Sequence, residues 1–273
     1  MRTVLFLSIL LALAGCTQKN KSAMENFNKV YGSGIEEMGS ALEKVSTMKI
    51  YFGHQSVGYD LLSGMEQWEE ETGVQIPKAE TRDFSSTDGA SLVHFRVGKN
   101  MDPYSKIDDF AALVEQIPKD EASVAFFKFC YIDFHHSADV DAIFTAYKEK
   151  MLALRKSSGN CRIVLCTVPL RTIQKGPKAI AKKILGKPLN NTRENIKREA
   201  FSERMRSELG GEFPVFDLAR AEYTLPDENI ASFKYEGKTY PRLPDNYTRD
   251  QGHLNPEGAK IVAFRFITFL SEL

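Results

Sequence analysis

The residues Met48-Lys49-Ile50-Tyr51-Phe52-Gly53-His54-Gln55-Ser56-Val57-Gly58 combine an apolar run, a short turn bounded by two glycines and the start of a helical pattern. The apolar run is typical of a buried strand, and the pattern after the turn predicts a helix from Ser56. A helix N-terminus carries free backbone N–H groups and the positive end of the helix dipole, so it favours a negative charge. This stretch therefore predicts an α/β fold with Ser56 at the end of a strand.

Short apolar runs alternate with longer amphipathic runs along the rest of the chain. This alternation predicts a three-layer α/β/α sandwich, in which helices cover both faces of a mostly parallel five-stranded sheet. The predicted strands are residues 48–53, 74–79, 123–129, 162–168 and 214–218. The predicted helices are residues 56–72, 107–116, 140–157, 192–209 and 256–273.

A second motif, Asp250-Gln251-Gly252-His253, lies just before the last predicted helix. A histidine can take the proton of a serine hydroxyl, and an aspartate can hold that histidine in the required tautomer. In parallel sheets, ligands bind at the carboxyl ends of the strands, and we expect both motifs at that edge. The alternatives are an N-cap role for Ser56 and, for Asp250 and His253, an Asx-turn with a surface imidazole.

The two motifs resemble those of the SGNH, or GDSL-type, hydrolase superfamily. Gly53-His54-Gln55-Ser56 is similar to its Gly-Asp-Ser block, Asp250-x-x-His253 to its C-terminal block, and Val215-Phe216-Asp217-Leu218 to the short strand before its closing loop. The resemblance covers roughly residues 48–273. There are two departures: His54 replaces the customary Asp, and Phe129-Cys130-Tyr131-Ile132-Asp133 lacks the usual oxyanion Asn.

The resemblance implies a flavodoxin-like fold and a serine esterase or deacylase that acts on acyl or acetyl esters of small molecules or glycans without a cofactor. Ser56 would be the nucleophile, His253 the base and Asp250 its partner. An oxyanion needs two or three converging donors. For these we name the Ser56 amide, Gly98 and Asn100, with Gly89 as a rival, although turn formation also explains the composition around Gly98. Acyl transfer to envelope glycans and non-catalytic glycan binding remain the alternative functions.

The first residues indicate export. An apolar core at 4–13 and Leu13-Ala14-Gly15-Cys16 predict a bacterial signal peptide over residues 1–16 that ends in a lipobox. Acylated Cys16 would anchor the protein to the membrane, and we expect it at the outer membrane, facing the periplasm. We interpret residues 17–45 as a tether and N-terminal extension, and residues 46–273 as one hydrolase domain with insertions near 169–189 and 226–248.

The other observations limit the partners. Lys and Arg total 36 and Asp and Glu total 36, so nothing in the charge favours nucleic acid, and the sequence leaves the oligomeric state undetermined. The histidines lack zinc-site spacing, so we expect no metal, and we interpret His54 as a packing residue. Cys130, Cys161 and Cys166 are expected as buried thiols, with a Cys130–Cys166 bridge left open.

The two inserts contain recognisable patterns. The segment 169–189 is lysine-rich with an apolar stripe, which predicts either a basic lid or a solvated surface helix. The segment 233–240 alternates around Glu236-Gly237 and predicts a hairpin.

Overall fold

The computed structural model describes residues 34–87 and 89–273. Its helices are α1 Gly34–Ser46, α2 Ser56–Thr72, α3 Pro103–Val114, α4 Val140–Ser157, α5 Pro177–Ile184, α6 Thr192–Arg204, α7 Leu218–Tyr223 and α8 Pro256–Ser271. Its strands are β1 Ile50–His54, β2 Lys78–Glu80, β3 Leu92–Arg96, β4 Ser123–Phe127, β5 Cys161–Ile163, β6 Leu165–Cys166, β7 Val215–Phe216, β8 Ser232–Tyr235 and β9 Lys238–Pro241. Cys16 and its predicted signal lie outside the described residues.

The central sheet has five parallel strands in the order β2-β3-β1-β4-β5. Strand β1 lies in the middle, with Gly53 opposite Phe95 on one side and Phe127 on the other. A separate parallel pair, β6 and β7, follows β5, and β8 and β9 form an antiparallel hairpin. The carboxyl ends of β3, β1 and β4 therefore lie side by side beneath the loops that follow them.

Side chains alternate between the two faces of this sheet. Phe52 and Phe126 point into a core shared with α1, α2 and α8, whereas Tyr51 and Phe127 point into a core shared with α3, α4 and α6. The indole N–H of Trp68 in α2 donates to a backbone carbonyl of α8 at 2.9 Å. The predicted three-layer α/β/α architecture is confirmed.

Local sequence explains where the helices begin. In α3, Asp102 is the N-cap and Pro103 the first residue, and the Asp102 carboxylate accepts the Ser105 N–H at 3.0 Å. In α8, Asn255 and Pro256 have the same roles. The helices predicted from Ser56, Thr192 and Pro256 begin at those residues, although the one from Thr192 changes to a π-helical turn at Met205–Leu209.

Several predicted elements were wrong. The strand predicted at 74–79 is formed only from Lys78 onward, and the strand predicted at 162–168 is divided into β5 and β6. Strand β3 was not predicted, although it pairs directly with β1. Residues from Gly34 onward, which were assigned to the tether and N-terminal extension without a helix, form α1, because its apolar face packs into the core at Met38, Leu42 and Val45.

The inserts contain the expected local structures. Within 169–189, Ile180 and Ile184 of helix α5 and the following Leu185 are exposed, and the role of this segment as a lid stays a prediction. The predicted hairpin is confirmed, with Glu236 and Gly237 both at positive φ in its turn. No helix within the described ranges is long and apolar enough to cross a membrane.

The three cysteines that fall in the described ranges are free and buried, so the Cys130–Cys166 bridge is not formed. Burial raises the pKa of the Cys166 thiol, which keeps it protonated and unreactive.

Candidate active site

Ser56 is the first residue of α2 and follows the turn after β1. The N-cap position belongs to Gln55, in extended backbone at φ −128° and ψ −158°, and the exposed Ser56 hydroxyl instead contacts His253. The N-cap alternative for Ser56 is therefore wrong. Within the described chain, the backbone N–H groups of Ser56 and Val57 donate to no acceptor, as expected at the start of a helix.

Asp250, His253 and Ser56 form a continuous hydrogen-bonded chain. The Nε2 atom of His253 lies 2.8 Å from Ser56 Oγ, and its Nδ1 atom lies 2.5 Å from Asp250 Oδ2. The other Asp250 oxygen accepts the backbone N–H of His253 at 2.8 Å. Between them, Gln251 adopts a left-handed conformation with φ +80°, which bends the loop so that the two side chains meet.

The loop electrostatics favour a charged Asp250. Burial raises the pKa of its carboxyl, but hydrogen bonds from His253 and Gly252 outweigh burial, so the net pKa is lowered. Asp250 is therefore a carboxylate at neutral pH and accepts the Nδ1–H of His253. This leaves Nε2 unprotonated toward Ser56, the tautomer that a general base requires.

Asp60 fastens this loop to α2, four residues after Ser56. Its Oδ1 atom accepts from Arg249 Nη2 at 2.7 Å, and its Oδ2 atom accepts the Leu254 N–H at 3.1 Å. Arg249 and Leu254 are the residues on either side of the segment 250–253. Asp60 was not identified from the sequence, and its i+4 spacing from Ser56 on one helix is the signal that was available.

The three oxyanion candidates differ in their hydrogen bonds and in their position relative to Ser56. The Gly98 N–H already donates to Asp109 Oδ2 at 2.7 Å, so Gly98 was a wrong candidate for an amide donor. The carbonyl oxygen of the Asn100 side chain accepts from Lys106 at 3.1 Å, whereas its NH2 group donates to no described residue. Asn100 is exposed on the loop after β3 and keeps a free donor. The rival Gly89 precedes β3, at the opposite edge from Ser56.

Asp133 joins the two loops that flank Ser56. It is fully buried and pairs with fully buried Lys106 at 2.5 Å. Its oxygens also accept the Met101 N–H at 2.9 Å, from the loop after β3, and the Cys130 N–H at 2.7 Å, from the loop after β4. Because this single buried carboxylate is hydrogen-bonded to both loops, it holds them in a fixed position relative to each other.

Tyr131 borders His253 and was not singled out from the sequence. Its hydroxyl lies 3.5 Å from His253 Nε2, and its ring packs against Gly252, where an added Cβ would come within 2.8 Å of the ring. Burial raises the Tyr131 pKa to about 12, so its hydroxyl stays protonated at neutral pH. The guanidinium of Arg171 lies 5.0 Å from the ring centre, and that of Arg198 lies 5.9 Å away.

His54 packs behind the turn that precedes Ser56, as interpreted from the sequence. Its Nδ1–H donates to the Gln55 carbonyl at 2.8 Å, and its Nε2 accepts from His94 Nδ1 at 3.1 Å. Burial lowers the pKa of His54 to about 3, so the ring is neutral. A side chain at Gly58 would overlap this ring, which explains the glycine in the first turn of α2. Across the described residues, no group of three or more potential metal ligands occurs.

Neither the protein-family models nor the curated proteins contain a match to this sequence. Among solved structures, a GDSL-like lipase from Bacteroides thetaiotaomicron VPI-5482 aligns with a TM-score of 0.52 at 11% identity, over 88% of this chain and 98% of that chain. An acetyl xylan esterase aligns at 0.46 and 18% identity over 81% and 98% of the chains. A putative acylhydrolase from Bacteroides fragilis NCTC 9343 aligns at 0.45 and 12% identity over 82% and 86%. The first alignment shows a shared fold, which agrees with the resemblance stated from the sequence.

Proposed function

We propose that this chain, which has the SGNH hydrolase fold, is a serine esterase that hydrolyses carboxylic esters. One observation carries the proposal: Ser56, His253 and Asp250 are linked by hydrogen bonds of 2.8 and 2.5 Å at the N-terminus of α2. The similarity to a GDSL-like lipase supports the fold in which such a site is built.

The reaction follows from the roles of the three side chains. His253 Nε2 takes the Ser56 hydroxyl proton while Oγ attacks the ester carbonyl carbon. The carbonyl oxygen becomes negative, and the imidazolium then gives its proton to the departing alcohol oxygen as the ester bond breaks. Water, activated by His253, attacks the acyl-enzyme and releases the acid. Asp250 stabilises the imidazolium in both steps.

The developing oxyanion needs donors at the same helix end. The Ser56 N–H is available, and the Asn100 side-chain NH2 is the second donor that we propose. Loss of one such donor typically lowers kcat by about 10²–10³. Replacement of Asn100 by Ala should therefore lower kcat by this factor and leave fluorophosphonate labelling of Ser56 detectable.

The test uses the full chain purified in detergent, short-chain p-nitrophenyl esters and a fluorophosphonate probe. Ser56→Ala should abolish labelling and ester turnover. Ser63→Ala is the matched control, because Ser63 is an exposed serine on the same helix. Labelling that survives in Ser56→Ala would refute the assignment of the nucleophile. Folded wild-type protein that neither labels nor turns over esters would favour the glycan-binding alternative, and acetyl transfer to an added sugar that exceeds hydrolysis would favour the transferase.

We also propose that the enzyme is anchored in the cell envelope through acylated Cys16, which the sequence Leu13-Ala14-Gly15-Cys16 supports. Metabolic labelling with a radioactive fatty acid should mark the wild-type chain and not Cys16→Ser. Fractionation on a density gradient should place the labelled protein with the outer membrane. Equal labelling of the wild-type protein and of Cys16→Ser would contradict acylation at Cys16.

A further inference from the structure

A cationic cavity lies between the insert that follows β6 and the β8–β9 hairpin. Its volume is about 530 Å³, within the range of small-molecule and sugar sites. Four basic residues line it, and no Asp or Glu is among the lining residues. The basic residues are Lys175, Lys187, Lys234 and Arg242.

Only part of this charge is compensated by the protein. Asp245, just outside the lining, accepts from Lys175 Nζ at 2.6 Å and from Arg242 Nη1 at 2.7 Å. Lys187 and Lys234 are exposed and form no ion pair with any described residue. One carboxylate against four cations leaves an excess of three positive charges at the cavity, although the whole chain has a formal net charge of zero. The concentration of charge is therefore local.

The cavity also has an aromatic wall. Phe233 and Tyr235 of β8 are half-buried and line it, and Phe233 is held by stacking on Tyr240 at 5.7 Å between ring centres. Flat aromatic faces with polar groups around them suit the apolar face of a sugar ring, and the lysines add donors for a carboxylate.

Positive charge continues from this cavity to the catalytic loop. Arg171 precedes the cavity wall by two residues, and its neighbour Thr172 donates its N–H to the Gln251 carbonyl at 3.0 Å. The buried Nε of Arg171 has no hydrogen-bond partner among the described residues. Arg198 is 2% exposed and donates to the Tyr131 carbonyl, yet neither arginine is paired with a carboxylate of a described residue. The chain segment that connects the cavity wall to the loop of His253 therefore carries a basic residue, Arg171, and a second one, Arg198, lies near Tyr131.

We propose that the substrate is an O-acylated acidic polysaccharide whose uronic-acid carboxylates bind Lys187 and Lys234 while an acylated sugar of the same polymer reaches Ser56. This inference rests on the proposed esterase function and adds the substrate class. The acidic polymer supplies the charges that the cavity lacks, and its sugar rings lie against Phe233 and Tyr235.

Binding is tested first, because it does not depend on catalysis. The full chain carrying Ser56→Ala should bind unesterified polygalacturonate, and binding should weaken as NaCl rises from 20 to 200 mM, as for any contact between exposed charges. Adding Lys187→Ala and Lys234→Ala should weaken binding about tenfold, equivalent to about 1.4 kcal/mol. A matched control adds Lys119→Ala and Lys156→Ala, two exposed lysines far from the lining, and should bind as the parent does.

Turnover then separates the two proposals. Acetate release is compared on O-acetylated polygalacturonate, on O-acetylated xylan, which is uncharged, and on p-nitrophenyl acetate. In Lys187→Ala/Lys234→Ala the ratio of kcat/KM for the acidic over the uncharged polymer should fall about tenfold through KM. An unchanged ratio, or unchanged polygalacturonate binding, overturns the acidic-glycan proposal while p-nitrophenyl acetate turnover still supports the esterase. Loss of binding to anionic phospholipid vesicles instead of polygalacturonate also overturns it, and assigns the cavity to a membrane surface.

Discussion

Asp60 offers the sharpest test of how the site is held together. Its side chain is 6% exposed and joins α2 to both ends of the loop that carries Asp250 and His253. Replacement by Ala removes two acceptors at once. The Leu254 N–H, on a residue that is 1% exposed, then has no acceptor, and Arg249 loses its only carboxylate among the described residues.

The size of the effect follows from burial. An unsatisfied buried N–H costs about 1–3 kcal/mol. The Arg249 side chain is 54% exposed, so the lost ion pair adds under about 1 kcal/mol. We expect Asp60→Ala to lower the free energy of unfolding by about 2–3 kcal/mol. Asp60→Asn keeps one acceptor oxygen but points an amide donor at the second donor, so its cost should lie between those of wild type and Ala.

The effect on catalysis should be comparable in size to the effect on folding. A loop that shifts by about 1 Å can lower the rate about 100-fold, because Nε2 of His253 no longer meets Oγ of Ser56. The assay is kcat/KM on p-nitrophenyl acetate and the rate of fluorophosphonate labelling, both well below the unfolding midpoint, with urea unfolding in parallel. Glu66→Ala, an exposed carboxylate on the same helix, is the control. The reasoning would be refuted if Asp60→Ala had a labelling rate and kcat/KM within twofold of those of Glu66→Ala and the same free energy of unfolding.

Three further outcomes concern buried groups around the site. Burial raises the pKa of Glu222 to about 8. Between pH 4.5 and 8 the Glu222 carboxyl therefore keeps its proton in the folded state and loses it in the unfolded state. The folded protein loses stability as the pH rises through that window. Glu222→Gln should match wild type near pH 4.5 and gain on it by up to about 1.4 kcal/mol per pH unit toward pH 8 in urea unfolding, and a constant difference would contradict the shift. Gly58→Ala should cost about 1–3 kcal/mol by overlap with His54, and should cost less in a His54→Ala background; additive costs in that double-mutant cycle would count against the overlap. Lys106→Met should cost about 3–5 kcal/mol because it leaves Asp133 charged and unpaired in the interior, and adding Asp133→Asn should recover part of that loss in thermal unfolding. A fully stable Lys106→Met would show that the pair is not needed.

The elements that local sequence specifies strongly were predicted well. Helices α2 and α4 were predicted over their observed ranges, because each has a long amphipathic pattern and clear ends, with Gly73 in a left-handed C-cap for α2 and Asp139 as N-cap for α4. The central strands β1 and β4 were found because both faces are buried, which produces continuous apolar runs.

The missed elements depend on distant contacts. Strand β3 reads Leu92-Val93-His94-Phe95-Arg96, and its histidine and arginine break the apolar run; His94 is nevertheless buried because His54 bonds to it across the sheet. Helix α1 is short and polar overall, and its apolar face becomes informative only once α8 is there to cover it. Pairing with residues far along the chain was the deciding factor in both cases.

The residues of the candidate site differ in the same way: some are specified by local sequence and others by contacts with distant residues. Ser56, Asp250 and His253 could be named because their motifs are local: one turn, and one loop segment of four residues. Gly98 was chosen for its flexibility. In the structure its backbone N–H donates to Asp109 of α3, a helix that the sequence did not connect to Gly98. Tyr131 contacts His253 across 122 residues, a separation at which no spacing rule applies.

The need for buried residues that hold the loops follows from a general requirement of such sites. A loop that presents catalytic groups has few backbone partners of its own, so each buried N–H needs an acceptor from elsewhere. A carboxylate has two oxygens and can accept several N–H groups at once. Asp60 does this for Leu254 on one side of Ser56, and Asp133 does it for Met101 and Cys130 on the other. Because both are buried and neither side chain bonds to the Ser56 hydroxyl, the precision of the site depends on two aspartates outside its motifs.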